Sequence, residues 1–253
     1  MYKTLDAEGY DTDKVQSGYL NTYQEYFGPL ADMEINLLEM GINKGGSLLL
    51  WRDYFQNGNI IGLDLKAVVI DDPTGRIRIY QGEQQDLSLL DRICNESASE
   101  GFDIIIDDCA HFGKLASTSF WHLFDNKLKS GGIYIIEDWG TGYWDSWIDG
   151  KCYRAETNST GFLSATVESL IDFIKPIVAN IFPGHLLVKL LMLKYYKNRF
   201  PSHDYGMVGF VKQLVDECAM ADITHPKYGI GPERRSKIEK MLIKNGHVLI
   251  TKA

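Results

Sequence analysis

The chain has 253 residues, 45% of them hydrophobic, a formal charge of −8 and a pI near 5.3. This length suffices for one α/β domain with an insertion, and we expect a single domain over residues 1–253. The acidic balance argues against a nucleic-acid-binding protein, because such a protein needs a clustered basic surface to neutralise phosphates. We therefore expect a small-molecule ligand.

Four cysteines, Cys94, Cys109, Cys152 and Cys218, form neither CxxC pairs nor the dense spacing of a secreted disulfide scaffold. The first 14 residues lack the apolar core of a signal peptide, and no run of about 18 apolar residues occurs in the sequence. These features predict free thiols, a cytoplasmic location, no structural zinc site and no membrane span.

Short apolar strands alternate with helices after a predicted N-terminal helical segment, residues 1–30. The strand-like apolar runs lie at residues 35–40, 60–64, 77–80, 103–108 and 133–138. Apolar positions at helical spacing occur between them, at residues 48–55, 86–97 and 115–127. This alternation predicts an α/β fold with a mostly parallel sheet that helices cover on both faces.

The last predicted element is a hairpin at residues 238–252. Two apolar runs flank Asn245-Gly246 there, a dipeptide that favours the positive φ angles of a type I′ turn. A mostly parallel sheet finished by an antiparallel hairpin is similar to the Rossmann-like fold of class I methyltransferases that use S-adenosylmethionine (SAM).

The alternation stops between residues 139 and 205, where aromatic side chains are frequent, and we predict an inserted helical and aromatic cap. Residues 184–200 combine leucines with lysines in a basic amphipathic pattern. Such a helix packs on its own sheet or at the interface of a homo-oligomer, or contacts a membrane surface or a partner.

The predicted cofactor loop joins the first strand to the first helix and contains Glu39, Gly41, Gly45 and Ser47. Its Gly-x-x-x-Gly-Gly spacing matches neither the dinucleotide GxGxxG motif nor the phosphate-binding P-loop. Ligands of open α/β sheets bind at the carboxyl ends of the strands, and an acid before the first glycine suits a cationic ligand such as SAM. The alternative is a simple tight turn.

Asp64 ends the second strand, 23 residues after Gly41. A carboxylate at this position accepts hydrogen bonds from the ribose hydroxyls of SAM or of a nicotinamide cofactor. An ordinary helix N-cap is the alternative role for Asp64.

Acidic residues follow two successive strands, as Asp107-Asp108 and as Glu137-Asp138. Because neighbouring parallel strands deliver these acids to one sheet edge, their charges would repel unless a cation lay between them. Oxygen ligands favour a hard ion, Mg²⁺ or alternatively Mn²⁺, and we expect such an ion between these two pairs of acids.

His111 lies three residues after Asp108 and is the predicted general base. A hydroxyl on the metal becomes more acidic, neutral imidazole takes its proton, and the oxygen attacks the SAM methyl group in line with the departing sulfur. In the alternative, His111 and the acids serve only as helix caps, buried hydrogen-bonding groups or solvated side chains.

Residues from about Thr12 to Asp138 resemble the metal-dependent sugar O-methyltransferases that act on macrolide antibiotics. The shared succession is Asp13-Lys14 with the aromatic stretch up to Phe27, then LLEMGINKGGSLLLW, GLD, GEQQD at 82–86, IIIDDCAH, the LF and SGG of 123–132, and IYIIEDW. One departure is Cys109-Ala110, which replaces the Gly-Ser that the family commonly has before the histidine, without changing the spacing.

The resemblance implies a SAM- and Mg²⁺-dependent O-methyltransferase whose acceptor is a sugar or a glycosylated natural product. The metal ligands and base that it implies are Asp108, Glu137, Asp138 and His111. The SAM contacts that it implies are Glu39, Gly41, Ser47 and Asp64, with Gln84 and Asp86 towards the adenosine end.

Two other classes of protein are compatible with parts of this pattern. An NAD(P)-dependent oxidoreductase would also use Asp64, although the GxGxxG motif is absent and the acid-rich strand ends are unexplained. A non-catalytic scaffold with the methyltransferase fold would bind a partner through residues 184–200, but it would not need the three acids and His111 together.

Overall fold

The computed structural model describes residues 3–153 and 202–253. The strands within these residues are β1 (Asn36–Met40), β2 (Asn59–Asp64), β3 (Ile77–Gln81), β4 (Phe102–Asp107), β5 (Leu128–Glu137), β6 (Ile238–Ile243) and β7 (His247–Lys252). The α-helices are α1 (Leu20–Phe27), α2 (Gly46–Tyr54), α3 (Leu87–Ser97), α4 (Gly113–Asn126), α5 (Gly206–Cys218) and α6 (Met220–Ile223), and 3₁₀ turns lie at Gly28–Leu30 and Trp139–Tyr143.

The strands form one seven-stranded sheet in the order β3-β2-β1-β4-β5-β7-β6. Strands β1 to β5 pair in parallel, whereas β7 pairs antiparallel with both β5 and β6. The predicted mostly parallel sheet with a C-terminal antiparallel hairpin is confirmed. Reversal of the strand order beside β1 opens a crevice at the carboxyl ends of the strands, where such sheets bind ligands.

Apolar layers cover both faces of the sheet and fix where the strand ends lie. On one face, Phe120 of α4 packs edge-on against Phe210 of α5, with ring centroids 5.5 Å apart. On the other face, Phe27 of α1 packs edge-on against Trp51 of α2, at 5.6 Å. The central strands are therefore buried on both sides, as their continuous apolar sequences require.

The hairpin turn and the N-terminal segment differ from their predictions. Gly246 has a φ of +79°, but Asn245 does not have a positive φ, so the turn is not type I′. A Cβ on residue 246 would lie 2.3 Å from the Tyr19 hydroxyl, so tertiary packing also requires glycine there. The N-terminal segment is helical only from Leu20 onward, because residues 3–19 form loops and turns.

Helix α5 follows the predicted cap and was not itself predicted from the sequence. Its buried residues Met207, Phe210, Val211 and Leu214 have the spacing of one helical face. The chain divides into two compact units, residues 1–151 with 204–253 and residues 152–203. The predicted helix at 184–200 lies outside the described residues.

No helix in the described parts of the chain is both long and apolar enough to cross a membrane.

Candidate functional site

A cavity of about 530 Å³ opens at the carboxyl ends of the parallel strands, and we call it the strand-end cavity. Six of the residues predicted from the sequence line it: Gly41, Asp64, Gln84, Asp108, His111 and Asp138. The fold therefore brings together predicted residues from the ends of four strands, β1, β2, β4 and β5, and from the loop after β3.

The loop after β1 owes its path to Gly41. This residue has a φ of +85°, and a Cβ there would lie 2.0 Å from the backbone oxygen of Asp108. Asp64 fixes the same loop, because its Oδ2 accepts hydrogen bonds from the backbone N–H groups of Ile42 and Asn43, each at 3.0 Å. Asp64 Oδ1 accepts the N–H of Lys66 at 2.9 Å and keeps its second lone pair for a ligand.

Gln84 lines the cavity and also ties two segments together. Its Nε2 donates to the buried carboxylate of Asp107 at 3.3 Å, and its Oε1 accepts the backbone N–H of Ala110 at 3.2 Å. Burial raises the pKa of Asp107 to about 7, despite this bond and one from Tyr134. Gln84 therefore positions the loop that carries His111, a role that the sequence did not indicate.

Four predicted SAM contacts do not line the strand-end cavity. Gly45 precedes α2 with a φ of +86°, and Asp86 caps α3 by accepting the N–H of Leu89 at 3.1 Å. Glu39 is fully buried, and its Oε2 accepts a hydrogen bond from Trp51 Nε1 at 3.0 Å. Ser47 is also hydrogen-bonded to the Glu39 carboxylate. Contact of these four with SAM stays a prediction.

A buried lysine, Lys14, lies among three of the acids. Its Nζ is 2.7 Å from Glu137 Oε1, 3.0 Å from Asp108 Oδ2 and 3.2 Å from Glu39 Oε1, and the Lys14 side chain is 1% exposed. Burial by itself would lower the pKa of Lys14, but the charges of Glu137, Glu39 and Asp108 outweigh it and raise that pKa well above its usual value. Lys14 is therefore charged.

We call Lys14, Glu39 and Glu137 the inner half of the acid cluster. Glu137 is 2% exposed, and its Oε1 also accepts a hydrogen bond from the Tyr23 hydroxyl. Glu39 Oε1 is in ion-pair contact with Lys14 without the geometry of a hydrogen bond. In the sequence, Asp13-Lys14 is only part of the family resemblance. No motif around Lys14 indicates its contact with Glu137, which lies 123 positions away.

We call Asp108, His111 and Asp138 the outer half of the cluster, because they line the cavity. His111 Nε2 lies 3.7 Å from Asp108 Oδ1 and 3.7 Å from Asp138 Oδ2. Each of the three residues offers one atom that could bind a metal ion, and these three atoms lie within 4.8 Å of one another. Burial, followed by the charge of Glu137, raises the pKa of Asp108 to about 9. The same burial lowers the pKa of His111, which favours neutral imidazole.

The outer half suits a hard divalent cation. Burial and the charge of Glu137 outweigh the attraction of Lys14 and raise the pKa of Asp108, so further positive charge beside it would favour the ionised carboxylate. Carboxylate oxygens are the ligands that Mg²⁺ and Mn²⁺ prefer. Asp108 and Asp138 are placed to hold such an ion, whereas Glu137 is bound to Lys14 and Tyr23 and does not join the group around His111.

Backbone strain is concentrated at this site. Within residues 3–153 and 202–253, the non-glycine residues with positive φ are Asn43 (+48°), His111 (+47°) and Asp138 (+53°), and all three line the strand-end cavity. Such conformations cost free energy and persist where the surrounding structure enforces them, often at functional sites. At His111, Trp147 Nε1 and Thr141 Oγ1 hold the backbone oxygen at 2.9 and 3.3 Å.

A second cavity of about 530 Å³ lies beyond Asp138, and we call it the aromatic cavity. Its aromatic lining is Tyr19, Trp139, Tyr143 and Trp144, and its polar lining includes Gln16, Ser17 and Asn245. Asp138 borders both cavities, so its carboxylate stands between two separate binding spaces. Aromatic faces together with amide and hydroxyl groups suit an amphipathic ligand such as a sugar ring.

No protein-family model matches the chain. The chain is 34% identical over 187 residues to the mycinamicin VI 2''-O-methyltransferase of Micromonospora griseorubida, a match that covers 70% of this chain and 45% of that protein. It is 35% identical over 188 residues to the 8-demethyl-8-(2-methoxy-alpha-L-rhamnosyl)-tetracenomycin-C 3'-O-methyltransferase of Streptomyces olivaceus, covering 70% and 46%. The chain thus spans about half the length of the curated relatives that it matches.

Among solved structures, the fold is similar to the MycE methyltransferase from the mycinamycin biosynthetic pathway in complex with Mg and SAH. The TM-score is 0.61 at 25% sequence identity, over 93% of this chain and 49% of that chain. The predicted class I SAM methyltransferase fold is therefore confirmed. Over the region that it shares with these proteins, the chain is similar to sugar O-methyltransferases such as the mycinamicin 2''-O-methyltransferase.

Proposed function

We propose that this protein is a SAM- and Mg²⁺-dependent O-methyltransferase that methylates a hydroxyl of a sugar or glycosylated small molecule, with His111 as the general base. The observation that carries the proposal is that Asp138, which lies beside His111 in the outer half, borders two cavities. The strand-end cavity has the features of a nucleoside site, and the aromatic cavity meets it at Asp138. A donor and an acceptor bound in these two spaces would face each other across Asp108, His111 and Asp138.

The strand-end cavity fits SAM by its chemistry. Asp64 stands at the end of β2, and its Oδ1 keeps one lone pair that can accept a hydrogen bond from a ribose hydroxyl. Gly41 lets the loop after β1 lie close to the ligand. The acids around the cavity suit the positive charge of the sulfonium and amino groups. Bound SAM supplies an electrophilic methyl group.

The outer oxygens of Asp108 and Asp138 would hold Mg²⁺, which makes an acceptor hydroxyl more acidic. Their position next to His111 lets one hydroxyl be oriented by the acids and deprotonated by Nε2. The hydroxyl proton goes to His111, the oxygen forms a bond to the methyl carbon, and the bond from sulfur to that carbon breaks to leave neutral S-adenosylhomocysteine. The lowered pKa of His111 keeps the ring ready to accept the proton.

The test combines binding with product detection. Calorimetric titration should give binding of SAM but not of NAD, and mass spectrometry of glycosylated acceptors incubated with SAM and Mg²⁺ should show a gain of one methyl group. EDTA should remove this activity and added Mg²⁺ should restore it. Binding of NAD without SAM would instead support an oxidoreductase, and full activity in EDTA would remove the metal from the mechanism.

A further inference from the structure

We infer that Lys14 is a permanent internal cation that substitutes for a metal ion in the inner half of the acid cluster and holds Asp108 in place for the divalent ion of the outer half. The part of this inference that concerns the divalent ion rests on the proposed function. In this role, Lys14 is a positioning residue and does not touch the reacting atoms.

The charge balance of the inner half requires such a cation. Glu39 and Glu137 are almost completely buried, and Asp108 contacts the same ammonium group. Buried carboxylates are stable as anions only when they are paired and hydrogen-bonded. Lys14 Nζ lies within 3.2 Å of three carboxylate oxygens, one from each acid. It donates hydrogen bonds to Asp108 and Glu137 and forms an ion pair with Glu39.

The backbone delivers Lys14 to this position. The backbone oxygen of Asp11 packs so closely on α2 that a Cβ at Gly46 would lie 2.0 Å from it. On the C-terminal side, the backbone oxygen of Lys14 accepts a hydrogen bond from the N–H of Tyr19 at 3.1 Å, and α1 begins at the next residue. The backbone is thus held on both sides of Lys14.

Each outer carboxylate is held by one oxygen and presents the other. Asp108 Oδ2 accepts a hydrogen bond from Lys14, whereas Oδ1 faces His111. Asp138 Oδ1 accepts a hydrogen bond from the Tyr19 hydroxyl, whereas Oδ2 faces His111. Hydrogen bonds of this kind, behind the ligands of a metal ion, orient the ligands and strengthen metal binding. The divalent ion therefore meets two oxygens that are already aimed at it.

The test is thermal unfolding of the full chain with and without Mn²⁺, in the absence of SAM and acceptor. In Lys14→Met, the buried acids lose their cation, and the melting temperature without metal should fall by about 10 °C. Because Mn²⁺ can replace the missing charge, its addition should raise the melting temperature of Lys14→Met by at least about 5 °C more than that of the wild type.

Two further variants make the result decisive. Lys14→Met combined with Glu137→Gln removes one charge of each sign, and this double variant should be more stable than Lys14→Met when no metal is present. Lys129→Met is the matched control, because Lys129 pairs with Asp103 far from the cluster at the start of β5. It should leave the Mn²⁺-induced shift at the wild-type value.

Equal Mn²⁺ shifts in Lys14→Met and the wild type would overturn the substitution of Lys14 for a metal ion. If Lys14→Met does not fold, the double variant decides: its failure to fold would show that Lys14 acts through packing and not through charge. Wild-type protein that binds no Mn²⁺ would instead contradict the metal in the proposed function, while the charge comparison between the single and double variants would still test Lys14.

Discussion

The inner and outer halves of the acid cluster contain the same kind of side chain in opposite environments. Glu39 and Glu137 are buried and contact Lys14 from within the protein, with Trp51 and Tyr23 as further donors. In the outer half, by contrast, the Asp138 side chain is 42% exposed, and the contacts of His111 with both aspartates are 3.7 Å long. The inner acids are bound to donors inside the protein, whereas the outer acids line the strand-end cavity.

This difference shows that a carboxylate at a strand end has no fixed role. Glu137 and Asp138 are adjacent in the sequence, yet β5 ends at Glu137, and the chain then turns with a φ of +53° at Asp138. The turn directs one acid into the protein and the next towards two cavities. Four predictions test whether the two halves are as distinct as their geometry indicates.

The largest expected effect is on catalysis by the outer half. His111→Asn should lower turnover by roughly 100- to 10,000-fold, because the general base is lost. Asparagine is chosen because it tolerates the positive φ of this position better than alanine does. SAM affinity by calorimetry and the melting temperature should stay close to wild type. Retained methyl transfer would exclude His111 as the base.

A second prediction separates the two adjacent acids by their effect on metal binding. Asp138→Asn should weaken Mn²⁺ binding by at least about tenfold, because a charged ligand of the ion is lost, and SAM affinity should change little. Glu137→Gln is the matched control, since the glutamine oxygen can still accept hydrogen bonds from Lys14 and Tyr23. Mn²⁺ affinity by electron paramagnetic resonance should fall less in this variant.

Equal losses of Mn²⁺ affinity in Asp138→Asn and Glu137→Gln would contradict the division of the cluster. Glu137 would then be a metal ligand itself, as the resemblance to the sugar O-methyltransferases implies. Loss of SAM affinity together with metal affinity would indicate a folding defect, which circular dichroism would detect.

A third prediction concerns the hydroxyl that orients Asp138. Tyr19→Phe keeps the ring that packs 4.5 Å from His247 but removes the hydrogen bond to Asp138 Oδ1. Mn²⁺ affinity should fall by about tenfold, the lower end of the range for residues that orient metal ligands. Tyr80→Phe is the control, because its hydroxyl bonds to Ser97 away from the cluster. The same loss in both variants would mean that Tyr19 does not act through Asp138.

Much of the sheet was predictable because its signals are local. The apolar runs of β1, β2, β4 and β5 are continuous, as strands buried on both faces require, and the intervening helices have apolar positions at helical spacing. The predicted type I′ turn was wrong, because Asn245 does not have a positive φ. Gly246 also lies against Tyr19, a tertiary contact that a dipeptide preference does not contain.

The candidate site was predictable only as far as sheet topology determines it. Parallel strands deliver Asp64, Asp108 and Asp138 to one edge, and these residues do line one cavity. The inner half was missed because Lys14 reaches Glu137 across 123 residues of sequence, along a path set by the packing of Asp11 on Gly46. The acids at neighbouring strand ends predict a cation between them, and in the structure Lys14 supplies part of that positive charge.

The smallest expected effect is on the acceptor side of the outer half. Trp144 borders the aromatic cavity with 55% of its surface exposed, so its loss should not destabilise the core. Trp144→Ala should raise the KM for a glycosylated acceptor by about fivefold, the equivalent of about 1 kcal/mol of ring stacking, and leave the KM for SAM unchanged. Tyr228→Ala, at an exposed aromatic residue outside both cavities, is the control and should change neither constant. An unchanged acceptor KM in Trp144→Ala would show that the acceptor does not stack on Trp144. A raised KM for SAM would show that donor and acceptor do not bind in separate cavities on the two sides of Asp138.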